Sequence, residues 1–215
     1  MSYSVMFEQL GTGMLKSLGI FGFTLIFSLP LGLLVCFGRM SKNKILSSVT
    51  GFFISILRGT PLMLQLIAIK FAPYYLFNMS IRDWEYPAII VGFSVNYAAY
   101  FAEIYRTGIE AIPVGQDEAG YMLGYNKFQI FMKIKFPQMV KIIIPSATNE
   151  IITLVKDTSL AFSVDYVEMF ARAKSIAAAE TSFMPFVIAA GFYYIFNLLV
   201  SFVMRHAEKK LSYYD

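Results

Sequence analysis

Charge is scarce in this sequence. Only 15% of its 215 residues are Asp, Glu, Lys or Arg, against about 25% in a typical soluble domain. That deficit, with 57% hydrophobic residues and a mean hydropathy of +0.60, excludes an ordinary water-facing globule and points to lipid as the solvent. Cysteine is almost missing. Cys36 is the single one and lies inside an apolar run, so no internal disulfide can form and the redox compartment stays open. Histidine is equally rare. The one His206 sits on a polar tail, which leaves nothing for a His/Cys metal site or for a Ser–His pair within a span. No basic cluster with interleaved aromatics appears, so the net charge of +4 reads as charge flanking a membrane and not as a nucleic-acid surface. A phosphate loop is missing as well. Gly11-Thr12-Gly13-Met14-Leu15-Lys16-Ser17 approaches one, but Leu10 and Leu15 hold both required glycine positions. The expectation is therefore a chain with no ATP site and no cofactor of its own. Asn78-Met79-Ser80 matches a glycosylation sequon by pattern only.

Long apolar runs are what the sequence has instead. A bilayer span needs roughly 20 mostly apolar residues. The first run extends from Leu18 to Phe37. The second, Ile45 to Phe77, is interrupted by Arg58-Gly59-Thr60-Pro61, which implies a kinked or locally unwound helix. The third covers Tyr86 to Ile109, the fourth Phe136 to Val164 and the fifth Phe183 to Met204. Met1 to Gln9 lacks a basic residue, so the first run reads as a retained span and not as a cleaved signal. The short segment Asn78–Glu85 and the stretch Asp165–Ser182 read as loops, with Trp84 placed as an interfacial anchor. Basic residues crowd the gaps after runs one, three and five: Arg39, Lys42 and Lys44; Lys127, Lys133, Lys135 and Lys141; Arg205, Lys209 and Lys210. They outnumber Lys16, Arg82, Arg172 and Lys174 on the other side, so the first set is assigned to the cytoplasm. The expected fold is an all-α membrane protein of about five transmembrane helices, N-terminus outside and C-terminus cytoplasmic. It forms one transmembrane domain over residues 1–215, because no extramembrane piece is large enough for its own core.

The one substantial polar segment, residues 110–137, reads EAIPVGQDEAGYMLGYNKFQIFMKIKFP. Pro113 and Gly115 open a turn, Gln116 to Leu123 can form a short helix, Gly124 can end it, and Asn126 can cap the next. Tyr121, Met122 and Leu123 would then be offered to a partner's groove, unless the segment is an ordinary connection between spans. Its Glu118-Ala119-Gly120, Gly124 and Ile134-Lys135-Phe136-Pro137 stand at the spacings of the Glu-Ala-Ala motif of bacterial ABC importer permeases, with Gly120 and Phe136 as departures from Ala and Leu. Arg58-Gly59-Thr60-Pro61 with Gln65, Gly115-Gln116, Asn149-Glu150-Ile151 and Lys156-Asp157-Thr158-Ser159-Leu160 match further marks of the polar amino-acid branch, in order along the chain. The sequence therefore resembles the permease subunits of that family. The resemblance implies a type I ABC importer permease fold in a bacterial cell membrane. It also implies a second permease copy alongside, most simply a homodimer, an extracytoplasmic substrate-binding protein, and ABC ATPase subunits that bind the ATP and Mg. Gln116, Glu118, Ala119, Gly120 and Gly124 would form the coupling helix seated in that ATPase.

Ionisable groups at membrane depth are functional candidates by default. Asn96 and Glu103 are seven apart on run three, with Ala99 and Arg106 nearby. Glu150 and Asp157 are seven apart on run four. Run two adds Arg58, Thr60 and Gln65 at its break. An amino-acid zwitterion needs donors for its carboxylate, for which Arg58, Asn96, Gln65 and the broken helix are candidates. It needs an acceptor for its ammonium, for which Glu103 comes first and Glu150 second. Surplus acid would suit a basic side chain. Some of these groups must pair internally: Glu103 with Arg106 or Arg58, and Asp157 with neighbours of Lys156 across a subunit contact. Two other readings stand beside this one. An ion-coupled secondary transporter is opposed by the odd span count, the short chain and the lack of an inverted repeat. A non-transporting membrane scaffold is opposed by the polar groups in runs three and four.

Overall fold

The first apolar run forms a longer helix than its hydropathy suggests. In the computed structural model, which describes residues 1–211, α1 spans Tyr3–Arg39 and so begins well before Leu18. The added turns are amphipathic. Met6, Leu10, Gly13 and Met14 are buried on one side, which lets a stretch too polar for a hydropathy window fold against its neighbours. The helix is about 55 Å long at 1.5 Å per residue, well beyond the roughly 30 Å of a hydrocarbon core.

The second run is not one kinked helix but two. α2 (Lys44–Gly59) and α3 (Leu62–Phe77) meet at 110°. α4 (Glu85–Glu110) follows, then the short α5 (Gly115–Met122). α6 (Lys127–Ile130) starts at a full capping box between Asn126 and Gln129 and passes through a π turn, Phe131–Lys135, into α7 (Phe136–Asp157). Run four is therefore the upper part of a longer rod, which ends in a 3-10 segment, Thr158–Val164. The loop expected over Asp165–Ser182 is a helix, α8 (Met169–Glu180), capped by the Glu168 carboxylate on the amides of Phe170 and Ala171. α9 (Met184–Leu211) closes the described chain. α8 is short, alanine-rich and weakly apolar, so no long apolar run marks it in the sequence.

α4 is the axis of the molecule. Ala88, Ile89, Phe93, Phe101 and Ala102 are fully enclosed, and α1, α3 and α7 pack around them. α1 lies against α4 through Gly32, where a β-carbon would stand 2.9 Å from Phe101 Cβ and 3.1 Å from the Ala98 carbonyl. It meets α8 through Gly13, where a β-carbon would stand 2.7 Å from Met169 Cα. A second, smaller core joins Met6, Leu10 and Met14 to Met169, Ile176 and Ala189. α9, by contrast, turns Ile195, Leu199, Phe202 and Val203 outward, as lipid or another membrane helix requires.

The helices alternate between two ends. One gathers the C-terminus of α1, the C-terminus of α4 and the π turn, with Phe37 edge-on to Phe131 at 5.1 Å. The other gathers the first turns of α1, the end of α3 and α8. There the N-terminal amine pairs with Glu180 at 2.6 Å, and Trp84 donates to the Ile69 carbonyl at 3.0 Å. Among the described residues, α1, α4 and α9 are long and apolar enough to cross a membrane, and the bent α2–α3 pair makes a fourth if counted as one span. The expected count of five is not reached on length and composition. α7 is long enough, but Lys141, Glu150, Lys156 and Asp157 interrupt its apolar surface.

The close approach at Gly32 gives a direct test. Gly32→Val should destabilise the folded chain by about 1–3 kcal/mol through overpacking. Gly22→Val, on the same helix with open space around it, should stay within about 0.5 kcal/mol of wild type. Thermal unfolding of both variants in one detergent checks this.

Candidate functional site

The break between α2 and α3 organises the polar groups. Pro61 has no N–H and drives Thr60 into extended backbone, φ −120° and ψ 148°, so helical bonding stops there. Carbonyls left open by a broken helix cost several kcal/mol each in lipid unless they find donors. Here Leu57 O accepts from Gln65 Nε2 at 2.9 Å and from Asn96 Nδ2 at 3.1 Å. Gln65 Nε2 also reaches Thr60 O at 3.1 Å and Thr60 Oγ1 at 2.8 Å, and Thr60 Oγ1 donates to Ile56 O at 2.8 Å. Asn96 Nδ2 donates to Gln65 Oε1 at 2.9 Å. Asn96 is buried, and both its amide hydrogens are used in this staple. Asn96, Gln65 and Thr60 are thus brought together, around the backbone rather than around open space.

The charged candidates lie along the neighbouring faces of α2, α4 and α7. Arg58 is exposed, stacks on Tyr100 at 5.2 Å and lies within electrostatic range of both Glu103 and Glu150. Glu103 is held by Arg106, with Nη2 at 2.7 Å, and Arg106 also grips Glu110 at 2.7 Å. That internal pair is one of the two the sequence allowed. Asp157 accepts from Tyr97 Oη at 2.8 Å within the chain. Glu150 is half-buried and has no hydrogen bond or ion pair among the described residues. Lys70, a buried base, donates to Val164 O at 2.5 Å and reaches Asp165 at 3.4 Å, tying α3 to the end of the 3-10 segment. Among the described residues no three His, Cys, Asp or Glu side chains converge as a metal ion would require.

Three contributors escaped the sequence reading. Tyr97 and Tyr100 hold Asp157 and Arg58, but tyrosine is too common in this chain to stand out. Glu168 is fully buried. Besides capping α8 it accepts from Ser17 Oγ and Tyr193 Oη, each at 3.2 Å, and so binds α1, α8 and α9 together. A glutamate just before an alanine-rich stretch was the available signal.

The segment after α4 forms the expected protrusion. α5 ends in a Schellman turn: Tyr125 N bonds Gly120 O, Gly124 N bonds Tyr121 O, and Gly124 takes φ +77°. Gly120, the departure from alanine, is buried. A β-carbon there would lie 2.8 Å from Ile130 Cγ1, so the glycine lets α5 seat on α6. Asp117 and Lys135 join the two helices at 2.5 Å. Gln116, Glu118 and Ala119 face solvent, as do Tyr121, Met122 and Leu123, with Met122 88% exposed.

The staple predicts non-additivity. Asn96→Leu and Gln65→Leu should each destabilise by roughly 1–3 kcal/mol, with a coupling of about 0.5–3 kcal/mol in the double variant. Simple additivity in thermal or denaturant unfolding would mean the two amides do not act as one unit.

The comparisons with known proteins agree with this geometry. Residues 28–213 match the family described as binding-protein-dependent transport system inner membrane component. A putative glutamine transport system permease protein from Rickettsia bellii is 40% identical over 188 residues, spanning 86% of this chain and 85% of that protein. An arginine transport system permease protein from Bacillus subtilis is 33% identical over 204 residues, spanning 94% and 92%. A solved chain from an amino acid ABC transporter crystallised with histidines superposes with a TM-score of 0.85 at 27% identity, spanning 98% of this chain and 99% of that one. The type I ABC importer permease fold expected from the resemblance is the fold of this multi-pass membrane protein. The chain belongs to the family of binding-protein-dependent transport system inner membrane components.

Proposed function

We propose that this chain is the pore subunit of an ATP-driven importer of polar amino acids, working beside a second copy of itself. The observation that carries the reading is the protrusion at the basic end. α5 offers Tyr121, Met122 and Leu123 to solvent while Gly120 and the Asp117–Lys135 pair fix it to the rod that becomes α7. A short helix whose apolar tip is held out from a membrane domain on a rigid mount suits a groove in a soluble partner. In this reading the partner is an ATPase, which binds ATP and Mg and performs the hydrolysis, so this chain is not itself an enzyme. The basic end is cytoplasmic, and a substrate-binding protein docks at the opposite end.

The substrate path runs along Arg58, Glu150 and Glu103. Arg58 can take the carboxylate of an amino acid and Glu150 its ammonium: among the described residues Glu150 makes no hydrogen bond or ion pair, and Arg58 stacks on Tyr100 within electrostatic range of Glu150. Asn96, Gln65 and Thr60 support this pair by fixing the break that carries Arg58, and can contribute directly only by releasing backbone carbonyls. Glu103 is matched in charge by Arg106, so a preference for basic side chains would rest on Glu150 and Asp157. The relatives' named substrates, glutamine and arginine, span neutral and cationic amino acids.

Two experiments test this. With ATPase subunits and binding protein reconstituted in liposomes, Glu150→Gln and Arg58→Gln should each lower uptake at least about tenfold while ATPase co-purification is unchanged; that factor corresponds to about 1.4 kcal/mol. Unaltered uptake from a panel of radiolabelled amino acids would remove these residues from the path. Met122→Asp and Glu118→Arg should instead abolish co-purification of the ATPase. Uptake sustained by an ion gradient without any ATPase would overturn the importer reading.

A further inference from the structure

Lys70 is a buried base that the proposed substrate path does not use. It is 6% exposed, and a cation at that depth has to be paired. Its Nζ reaches two groups at the end of the 3-10 segment: the Val164 carbonyl at 2.5 Å and Asp165 Oδ2 at 3.4 Å. The two partners differ in freedom. Val164 is itself buried, whereas the Asp165 side chain is 86% exposed. Asp165 also takes φ +64°, a left-handed conformation uncommon outside glycine, where the chain turns toward α8.

The segment before that turn has the construction of a strap. Its seven residues, Thr158–Val164, are in 3-10 geometry, whose hydrogen bonds are poorer than those of an α-helix and which often marks a hinge. It continues directly from the helix that carries Glu150 and Asp157. Side chains of other helices tie both its ends, Tyr97 of α4 at Asp157 and Lys70 of α3 at Val164. Within the strap, the hydroxyls of Thr158, Ser159 and Ser163 donate to Val155 O, Lys156 O and Leu160 O at 2.8, 2.8 and 2.7 Å. Those bonds are local, so they survive when the strap moves as a unit.

We infer that Thr158–Val164 is a strap over the outer end of the substrate path and that Lys70 is its latch. In the latched state Lys70 holds the Val164 carbonyl. When the strap lifts, the ammonium passes to the Asp165 carboxylate, which already stands 3.4 Å away. The cation stays paired while the backbone is released. A latch with the carbonyl as its single partner would leave a buried charge uncompensated at every opening, which is strongly unfavourable. The place of the strap at the outer end rests on the importer reading and its orientation, whereas the latch itself can be read on this chain without any transport.

The test is hydrogen–deuterium exchange on the full chain in lipid nanodiscs. Lys70→Met keeps an apolar stem and removes the ammonium. It should speed exchange of the amides in 158–166 by about tenfold or more, the effect of losing one hydrogen bond to a charged donor. Residues 88–102 of α4 should exchange as in the wild type. Asp165→Asn keeps the left-handed turn, which asparagine adopts readily, and removes the second partner. It should slow exchange of the same amides by roughly threefold, the size of an exposed ion pair. Unchanged exchange in Lys70→Met, or a rise shared equally by α4, would overturn the latch. Exchange that is no slower in Asp165→Asn would overturn the transfer to Asp165. If Lys70→Met does not fold, Asp165→Asn alone decides. Local exchange that responds to both variants in a chain whose uptake needs no ATPase would keep the latch and sink only the importer reading.

Discussion

The fold depends on a rule that lipid imposes: no backbone carbonyl inside the membrane can go without a donor. Arg58-Gly59-Thr60-Pro61 breaks that rule and the side chains of Gln65 and Asn96 restore it. Because Asn96 belongs to α4, the repair also fixes α4 against the α2–α3 corner. One break thus sets the relative placement of three helices and, with them, of Arg58 and Tyr100. A polar residue on the central helix of a membrane protein here serves the backbone first.

Small residues complete the arrangement. Gly32 and Gly13 let α1 touch α4 and α8 nearly backbone to backbone, the usual means of close packing where no hydrophobic driving force separates helix from lipid. Glu168 works differently. It is an acid without a cationic partner among its contacts, satisfied by two amides and two hydroxyls. It replaces the missing N-terminal bonds of α8 and reaches two other helices at once.

Much of this was legible in the sequence. Charge scarcity and long runs identify the solvent, and the order of motifs identifies the family. The short helix α5, its terminal Gly124 and the Asn126 cap follow from turn and capping chemistry, which is local. What was not legible is whatever depends on partners distant in the chain. The early start of α1 rests on burial against α8 and α9, which no hydropathy window contains. α8 itself is neither long nor apolar enough to announce a span. The sequence placed Asn96, Gln65, Glu103 and Asp157 on suitable faces, but face alone does not say whether a group meets a backbone carbonyl, a tyrosine, an arginine or nothing. Among the described residues Glu150 makes no hydrogen bond or ion pair, and its spacing from Asp157 gave no hint of that difference.

The rod formed by α6, the π turn and α7 has a mechanical meaning. It runs without interruption from Lys127 to Asp157, so the residues that seat α5 and the residues near Arg58 belong to one stiff body. From Ile130 to Glu150 is about 30 Å along the axis, the thickness of a hydrocarbon core. A shift of α5 imposed from below therefore need not pass through a chain of loosely packed contacts to be felt on the far side. Tilting the rod as one body moves Glu150 with it.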